Sequence, residues 1–324
     1  MEYVGVIHNN ISDDDLYGGK GSKLIQIAQL GINVPPGFIL NTKSYKTFIK
    51  ESKSQNKILS TLSRDYSKDE VITLSKRISD YILNSEVPKP IRIEVKSAYQ
   101  QLREKIGAKV SFAVRSSANI EDSDQFSFAG QAESFLNNRN LQDIMNSLKK
   151  CWASLFSPQA LLYILHMKNK GKKISLLDIE IAVIVQKMVV PKCSGVLFTA
   201  NVINNNPNQM MINSTWGLGD VVTNNIINPD LIILNKINGK IINSVIGEKE
   251  QLSIVNPDGS STKLIAMDEH LRNQYSLNAQ QLKKLRLLGL QLEKALKAPQ
   301  DIEWAIEKDI VYALQSRSIT TLYK

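Results

Sequence analysis

Three stretches of the chain carry residue types suited to phosphate and metal chemistry. The first, Gly18-Gly19-Lys20-Gly21-Ser22-Lys23, stands at the mouth of a helical pattern. Glycines let a backbone approach an anion, a helix N-terminus offers unpaired N–H groups, and Lys20 adds a point charge. The spacing is neither GxxxxGK[ST] nor GxGxxG, which excludes both of those phosphate loops, and a flexible turn before a helix accounts for the same residues. The second stretch runs from Val114-Arg115-Ser116-Ser117 through Glu121-Asp122-Ser123 to Ser127-Phe128-Ala129-Gly130-Gln131. An arginine leaving a strand end matches phosphate oxygens bidentately, and a loop of small residues can fold over a phosphate chain with backbone donors. An Arg115 paired with Glu121 or Asp122 in a structural network is the competing reading. The third stretch is Asp301-Ile302-Glu303-Trp304-Ala305-Ile306, a turn, then Leu314-Gln315-Ser316-Arg317. Strand alternation turns Glu303 away from Ile302 and Trp304 and puts Gln315 and Arg317 on one face. An odd number of loop residues would set Glu303 and Gln315 on the same face, within reach of one Mg2+. The sequence leaves that register open, and a hairpin with one solvated polar face is the alternative.

The elements that must position these residues fall into two textures. Up to about residue 180 helices dominate. Leu24, Ile27 and Ala28 recur at helical spacing, Gly31 is a stop, and Val34-Pro35-Pro36-Gly37 turns into a short strand at Phe38-Ile39-Leu40. Thr42 is placed to cap a helix carrying Tyr45, Phe48 and Ile49 on one face. Residues 68–108 read as two helices, Val110 to Arg115 as a strand, and 140–168 as a helical stretch with Trp152, Leu155 and Phe156 in the core. Beyond 180 the chain turns to short Ile- and Val-rich segments at 180–190, 195–199, 210–213, 231–234 and 240–245, separated by Asn/Pro/Gly turns. A helix over roughly 277–297 carries Leu282, Leu285, Leu288, Leu292 and Leu296, and a hairpin follows. The expectation is an α+β chain of two lobes, a helix-rich lobe at 1–180 and a sheet-rich lobe at 181–324, with a ligand cleft between them.

At 324 residues, with 43% hydrophobic and 22% charged residues, the composition is that of an ordinary globular protein and not of a disordered, collagen-like or disulfide-stapled chain. Cys151 and Cys193 lie far apart with no metal-ligand spacing, which points to reduced thiols in a cytosol. The N-terminal segment has no basic stretch followed by an apolar core, and the longest apolar run, Ile181 to Val190, is too short to cross a bilayer. A cytoplasmic location with no membrane partner follows as an expectation. Forty Lys and Arg against 31 Asp and Glu leave a net charge of +9. Those cations are mostly scattered at helical spacing, and aromatics are only 6% of the chain, so solvated helix faces are favoured over a nucleic-acid footprint.

In order and spacing, seven motifs resemble the ATP-binding domain of the phosphoenolpyruvate-utilising phosphotransferases, the family of pyruvate phosphate dikinase, phosphoenolpyruvate synthase and rifampicin phosphotransferase. They are GGKG to VPPGF at 18–38, VRSSANIED to SFAGQ at 114–131, WASLFSPQA at 152–160, VQKMV to SGVLFTAN at 185–201, WGLGD at 216–220, NPD at 228–230, and DIEWA to LQSRSIT at 301–320. The resemblance covers essentially the whole chain. It implies an ATP-grasp-like fold holding Mg2+ and ATP. Lys20 and Arg115 would contact the phosphates, and Gly130, Gln131 and Ser134 would line the loop over them. Gln186, Lys187 and Met188 would form the hinge beside adenine, largely through backbone groups. Glu303 and Gln315 would hold Mg2+, and Arg317 would contact the terminal phosphates, so that Lys20, Arg115 and Arg317 act as the catalytic cations.

The chain departs from that pattern at Asn213, where the family has an acid, at Asp220 in place of Glu, and at Ser318 in place of Pro. The family's phosphorylated histidine lies on a separate swivelling domain, and none of His8, His166 and His270 sits in a Gly-rich Thr-Ser-His setting. The implied partner is therefore a phosphohistidine-carrying domain or subunit in trans, with a small-molecule acceptor such as pyruvate beyond it. The chain would be either a separately encoded subunit or a piece of a longer enzyme. The alternatives are a stand-alone kinase or ligase acting directly on a small molecule, and a regulatory nucleotide-binding module whose catalysis has lapsed.

Overall fold

A computed structural model describes residues 1–8, 14–52, 55–63, 66–107, 109–118, 134–170, 179–259, 261–320 and 322. The chain divides into two compact units, one of Met1–Ile25 with Pro36–Met188 and one of Gln26–Pro35 with Val189–Lys324. The expected division fell at residue 180; here the apolar strand after it belongs with the first unit, and residues 26–35 with the second.

In the first unit the elements are β1 (Val4–Val6), α1 (Gly18–Gln29, whose last four residues count with the second unit), β2 (Gly37–Leu40), α2 (Thr42–Glu51), α3 (Gln55–Ser63), α4 (Val71–Asn84), α5 (Lys89–Ile106), β3 (Phe112–Ala118), β4 (Ser134–Asn138), α6 (Leu141–Ser154), α7 (Pro158–Asn169) and β5 (Ile181–Lys187). Their strands form one antiparallel sheet in the order β1-β2-β5-β3-β4. Alternation decides its two faces. Phe38, Leu40, Phe112, Val114, Val183 and Val185 join a core with Phe48, Ile78, Ile91, Trp152 and Phe156 from the helices. Phe48 and Trp152 stack with ring centroids 4.4 Å apart. The residues between them, Ile39, Ala113, Arg115, Ser117, Ile184 and Gln186, take the other face. The cap of α2 is Asn41, whose side chain accepts from the Ser44 amide, and not Thr42, which lies one residue inside the helix and is fully buried.

In the second unit β6 (Cys193–Phe198), β7 (Gln209–Trp216), β8 (Asp230–Asn235), β9 (Ile241–Val245), β12 (Gln300–Glu307) and β13 (Ile310–Ser318) form a second antiparallel sheet, in the order β13-β12-β6-β7-β8-β9. The ribbon β10 (Gln251–Val255) and β11 (Thr262–Ala266) pairs on its own. The helices are α8 (Asp220–Thr223), α9 (Glu269–Arg272) and α10 (Ala279–Leu296). The leucine period of α10 is realised with a capping box at Asn278 and Gln281. This helix packs on β6, β12 and β13. Its Gly289 lies so close to the sheet that a Cβ there would meet Leu197, Thr199 and Met210 at 3.0–3.3 Å. Ile302, Trp304 and Ile306 are buried on that side. Asp230 of the NPD motif is a structural anchor: it is fully buried, pairs with buried Lys249, and accepts from the Ser276 amide and hydroxyl, both at 2.8 Å.

Candidate functional site

The first unit assembles its candidates on the sheet face turned away from the helical core. Ile39, Ile184, Arg115 and Ser134 stand in one cross-strand row. Gly37, Gln186 and Ala113 form the next row, which makes Arg115 and Gln186 diagonal neighbours about 7–8 Å apart. Ser134 is exposed, Arg115 half-buried and Gln186 buried.

Lys20 sits in the first turn of α1, and the start of that helix is fixed to β3 just beyond Arg115. Ser117 Oγ accepts from the Gly21 amide and donates to the Tyr17 carbonyl, both at 2.9 Å. The approach demands glycine at position 18: its φ is +65°, and a Cβ would lie 2.1 Å from the Ser117 carbonyl oxygen. Ser117 is a positioning residue that the sequence reading missed. The available signal was a second hydroxyl at the end of a strand whose neighbours are apolar.

At the end of β5 the amides of Lys187 and Met188 are committed within the fold, donating to Pro36 and Ser111 carbonyls at 2.8 and 2.9 Å. A ligand beside this segment would meet its carbonyls, which have two lone pairs each, and its side chains, and not these amides. Gly130 and Gln131, together with Glu121 and Asp122, lie outside the described residues.

The second unit repeats the construction. With α10 on one face, the opposite face carries Asp301, Glu303 and Ala305 of β12. Glu303 stands directly opposite Gln315, and Asp301 opposite Arg317. Residues so paired have Cβ atoms about 4.5–5.5 Å apart, close enough for both side chains to reach one cation. The loop is even and does not by itself set this register. The turn has two residues, Lys308 and Asp309, both at positive φ (50° and 61°), as a hairpin turn with right-handed twist requires. Unmodified, that turn would pair Glu303 with Leu314. A β-bulge supplies the missing residue: Trp304 faces Ala313 and Glu303 faces Gln315, so Leu314 is the extra one. This is why Ala313 and Ser316, three apart, are both buried on the α10 side.

Arg317 Nε donates to Asp301 Oδ2 at 2.7 Å. Burial pushes the Asp301 carboxyl above its ordinary range, the Arg317 charge and hydrogen bond pull it back, and Glu303 adds to the rise. Asp301 stands two residues from Glu303 with its face set by the same alternation, and the sequence reading gave it no role. Across β6 the row Gln315–Glu303–Val196–Asn213 continues, placing Asn213 two strand spacings, about 10 Å, from Glu303 on the same face. Asp220, a second of the three departures, accepts from Ser253 and Thr262 hydroxyls at 3.0 and 3.2 Å and so ties α8 to the β10–β11 ribbon.

One carboxylate and one amide oxygen form a hard-donor pair. That suits Mg2+, which is ordinarily held by one or two carboxylates with the remaining positions left to water and phosphate. Among the described residues no group of three or more His, Cys, Asp or Glu is placed to hold a metal. No helix among them is long and apolar enough to cross a membrane.

The pattern of the family described as "Pyruvate phosphate dikinase, AMP/ATP-binding domain" matches residues 14–324. Among similar curated proteins is a probable phosphoenolpyruvate synthase of Methanocaldococcus jannaschii, 36% identical over 96% of this chain and 26% of that protein. The phosphoenolpyruvate synthase of Pyrococcus furiosus is 35% identical over 96% of this chain and 43% of its own length. The rifampicin phosphotransferase of Bacillus subtilis is 34% identical over 95% and 34%. The chain thus spans less than half the length of each of these relatives. With the pattern running from residue 14 to the last residue, the chain belongs to the pyruvate phosphate dikinase AMP/ATP-binding domain family.

Proposed function

We propose that the chain is the ATP-binding module of a phosphotransferase, with an ATP-grasp-like manner of holding Mg-ATP, that phosphorylates a histidine on a separate domain or subunit and releases AMP and phosphate. The observation that carries this reading is the pairing of Glu303 with Gln315 beside Asp301 and Arg317 on a sheet face free of the α10 core. Relatives named phosphoenolpyruvate synthase and rifampicin phosphotransferase support it. A small acceptor such as pyruvate would take the phosphoryl group from the histidine, and the reaction belongs in the cytoplasm.

Phosphoryl transfer asks for positioning and charge neutralisation more than for a covalent group on the ATP-binding side. Lys20 meets phosphate oxygens at the N-terminus of α1, where backbone N–H groups add to its charge. Arg115 offers a planar fork to the same chemistry, with Ser134 beside it. Gly130 and Gln131 belong to the loop over the phosphates. Gln186, Lys187 and Met188 border the base. Glu303 and Gln315 hold Mg2+, which neutralises phosphate charge when bound, and Asp301 orients Arg317 toward the terminal phosphates.

The test is product analysis. Incubated with labelled ATP and a histidine domain of this family, the chain yields AMP and phosphohistidine. ADP with a small acceptor and no partner would instead favour a stand-alone kinase. A second reading rests on Asn213, an uncharged residue in the row of Glu303 where an acid is usual. Mg-ATP binding with no turnover in any combination of partners would establish a regulatory module.

A further inference from the structure

The β3–β4 hairpin contains an irregularity that neither the motifs nor the proposed nucleotide contacts explain. Arg115 faces Ser134 and Val114 faces Phe135, but Phe112 then faces Asn138. Leu136 and Asn137 therefore share the single place opposite Ala113, a bulge of two residues against one. Asn137 lies in the left-handed region at φ 60° and is 1% exposed. A bulged residue is out of step with the ladder, and a buried amide in that position needs an acceptor from elsewhere. Met188 provides one: its Sδ lies 3.1 Å from the Asn137 nitrogen and 3.7 Å from Ser111 Oγ. The Met188 amide in turn donates to the Ser111 carbonyl at 2.9 Å, so backbone and side chain grip the two strands together.

We propose that Met188 is a positioning residue whose thioether holds the β4 bulge and thereby keeps Ser134 opposite Arg115 on the outer face. This deepens the function proposed above and rests on it. The register is worth holding because strand side chains alternate. With Phe112–Asn138 kept in place, where Asn138 Nδ2 donates to the Phe112 carbonyl and its Oδ1 accepts from Ser147, loss of the bulge shifts the rest of β4 by one residue against β3, which turns Ser134 toward the helical core and Phe135 out to solvent. An unbranched, polarizable side chain suits the task, since it can bring a weak acceptor to a buried amide without a charge or a hydroxyl to satisfy. The two halves of the segment thus have different duties: its carbonyls border the base, and its last side chain sets the strand that carries the phosphate-side residues.

The experiment compares wild type with Met188→Leu, which keeps the bulk and removes the acceptor, and Met188→Gln, which restores an acceptor on an unbranched stem. The readouts are hydrogen exchange of the Asn137 amide in the nucleotide-free chain, melting temperature, and affinity for Mg-ATP. Loss of one hydrogen bond to a buried amide is expected to speed Asn137 exchange by about tenfold or more in Met188→Leu. Mg-ATP binding should weaken by about five- to thirtyfold, with a small change in melting temperature, and Met188→Gln should recover most of both. Unchanged Asn137 exchange in Met188→Leu overturns the proposal, as does faster exchange with unchanged affinity. A wild type that fails to bind Mg-ATP removes the functional reading instead, while the Asn137 exchange ratio still decides whether the thioether holds the bulge.

Discussion

The outer faces of the two sheets carry the same kind of cargo on the same kind of support. In each unit an antiparallel sheet buries alternate residues under helices and carries the proposed ligand-binding residues among the intervening ones: Arg115, Ser134 and Gln186 in the first, Asp301, Glu303, Gln315 and Arg317 in the second. Each has a bulge beside its candidate residues. The bulges are secured differently. In the first unit the irregular residue is a buried, left-handed Asn137 whose amide is met by the thioether of Met188, the residue that follows β5. In the second, Leu314 is held by what surrounds it: a tight two-residue turn on one side and the Asp301–Arg317 ion pair on the other. The register of each hairpin is set by one displaced residue and not by motif spacing, and the proposed function relies on that register.

The largest effect expected separates the two faces of one strand. Trp304→Ala empties a fully buried position under α10 and should cost about 3–5 kcal/mol. Its neighbour Glu303→Ala should change stability by less than about 0.5 kcal/mol while removing the metal dependence of nucleotide binding. Urea unfolding and ATP titration of the two variants measure both. Equal stability losses would break the two-face description.

Next in size is the register itself. Deleting Ser316 brings Arg317 opposite Ile302, on the α10 side, and should weaken Mg-ATP binding by about tenfold to a hundredfold through loss of a charge-assisted contact. Deleting Leu314 leaves Glu303 opposite Gln315 in a plain ladder, so binding should fall by less than about tenfold. Reversal of that order would show that the bulge does more than restore register.

A smaller effect is expected at Asp301, whose carboxyl is pushed up mainly by burial. A raised folded-state pKa means that the native chain holds this proton more tightly than the unfolded chain. The advantage is complete below the unfolded-state pKa and lost as pH rises through the folded-state value. Asp301→Asn does not titrate. It should therefore be more stable than wild type near neutral pH, with the gap closing as pH falls below the folded-state pKa. Thermal melts across pH read the sign. A gap that widens in acid would contradict it.

Much of this was legible in residues 1–324 because it is local. The leucine period of α10, the two helices of 68–108 and the terminal hairpin follow from spacing alone, and Arg115 at a strand was visible from its apolar neighbours. What was not legible depends on pairing at long range. The run after residue 180 is buried on both faces, so its composition suits either sheet, and only its pairing with β2 and β3 assigns it to the first. The bulge at Leu314 leaves no mark in composition, because a leucine is as ordinary in a regular strand as in a displaced one. Asn41 took the cap from Thr42 by lying one residue outside the helix, a shift that cap preferences alone do not resolve.

The most direct test of the central claim, that Glu303 and Gln315 together hold the metal of a nucleotide, is the affinity for ATP with Mg2+ and with chelator in wild type and in Glu303→Gln. Wild type should bind at least about tenfold more tightly with Mg2+, and Glu303→Gln should lose most of that difference while remaining folded. An undiminished Mg2+ dependence in Glu303→Gln would contradict the assignment.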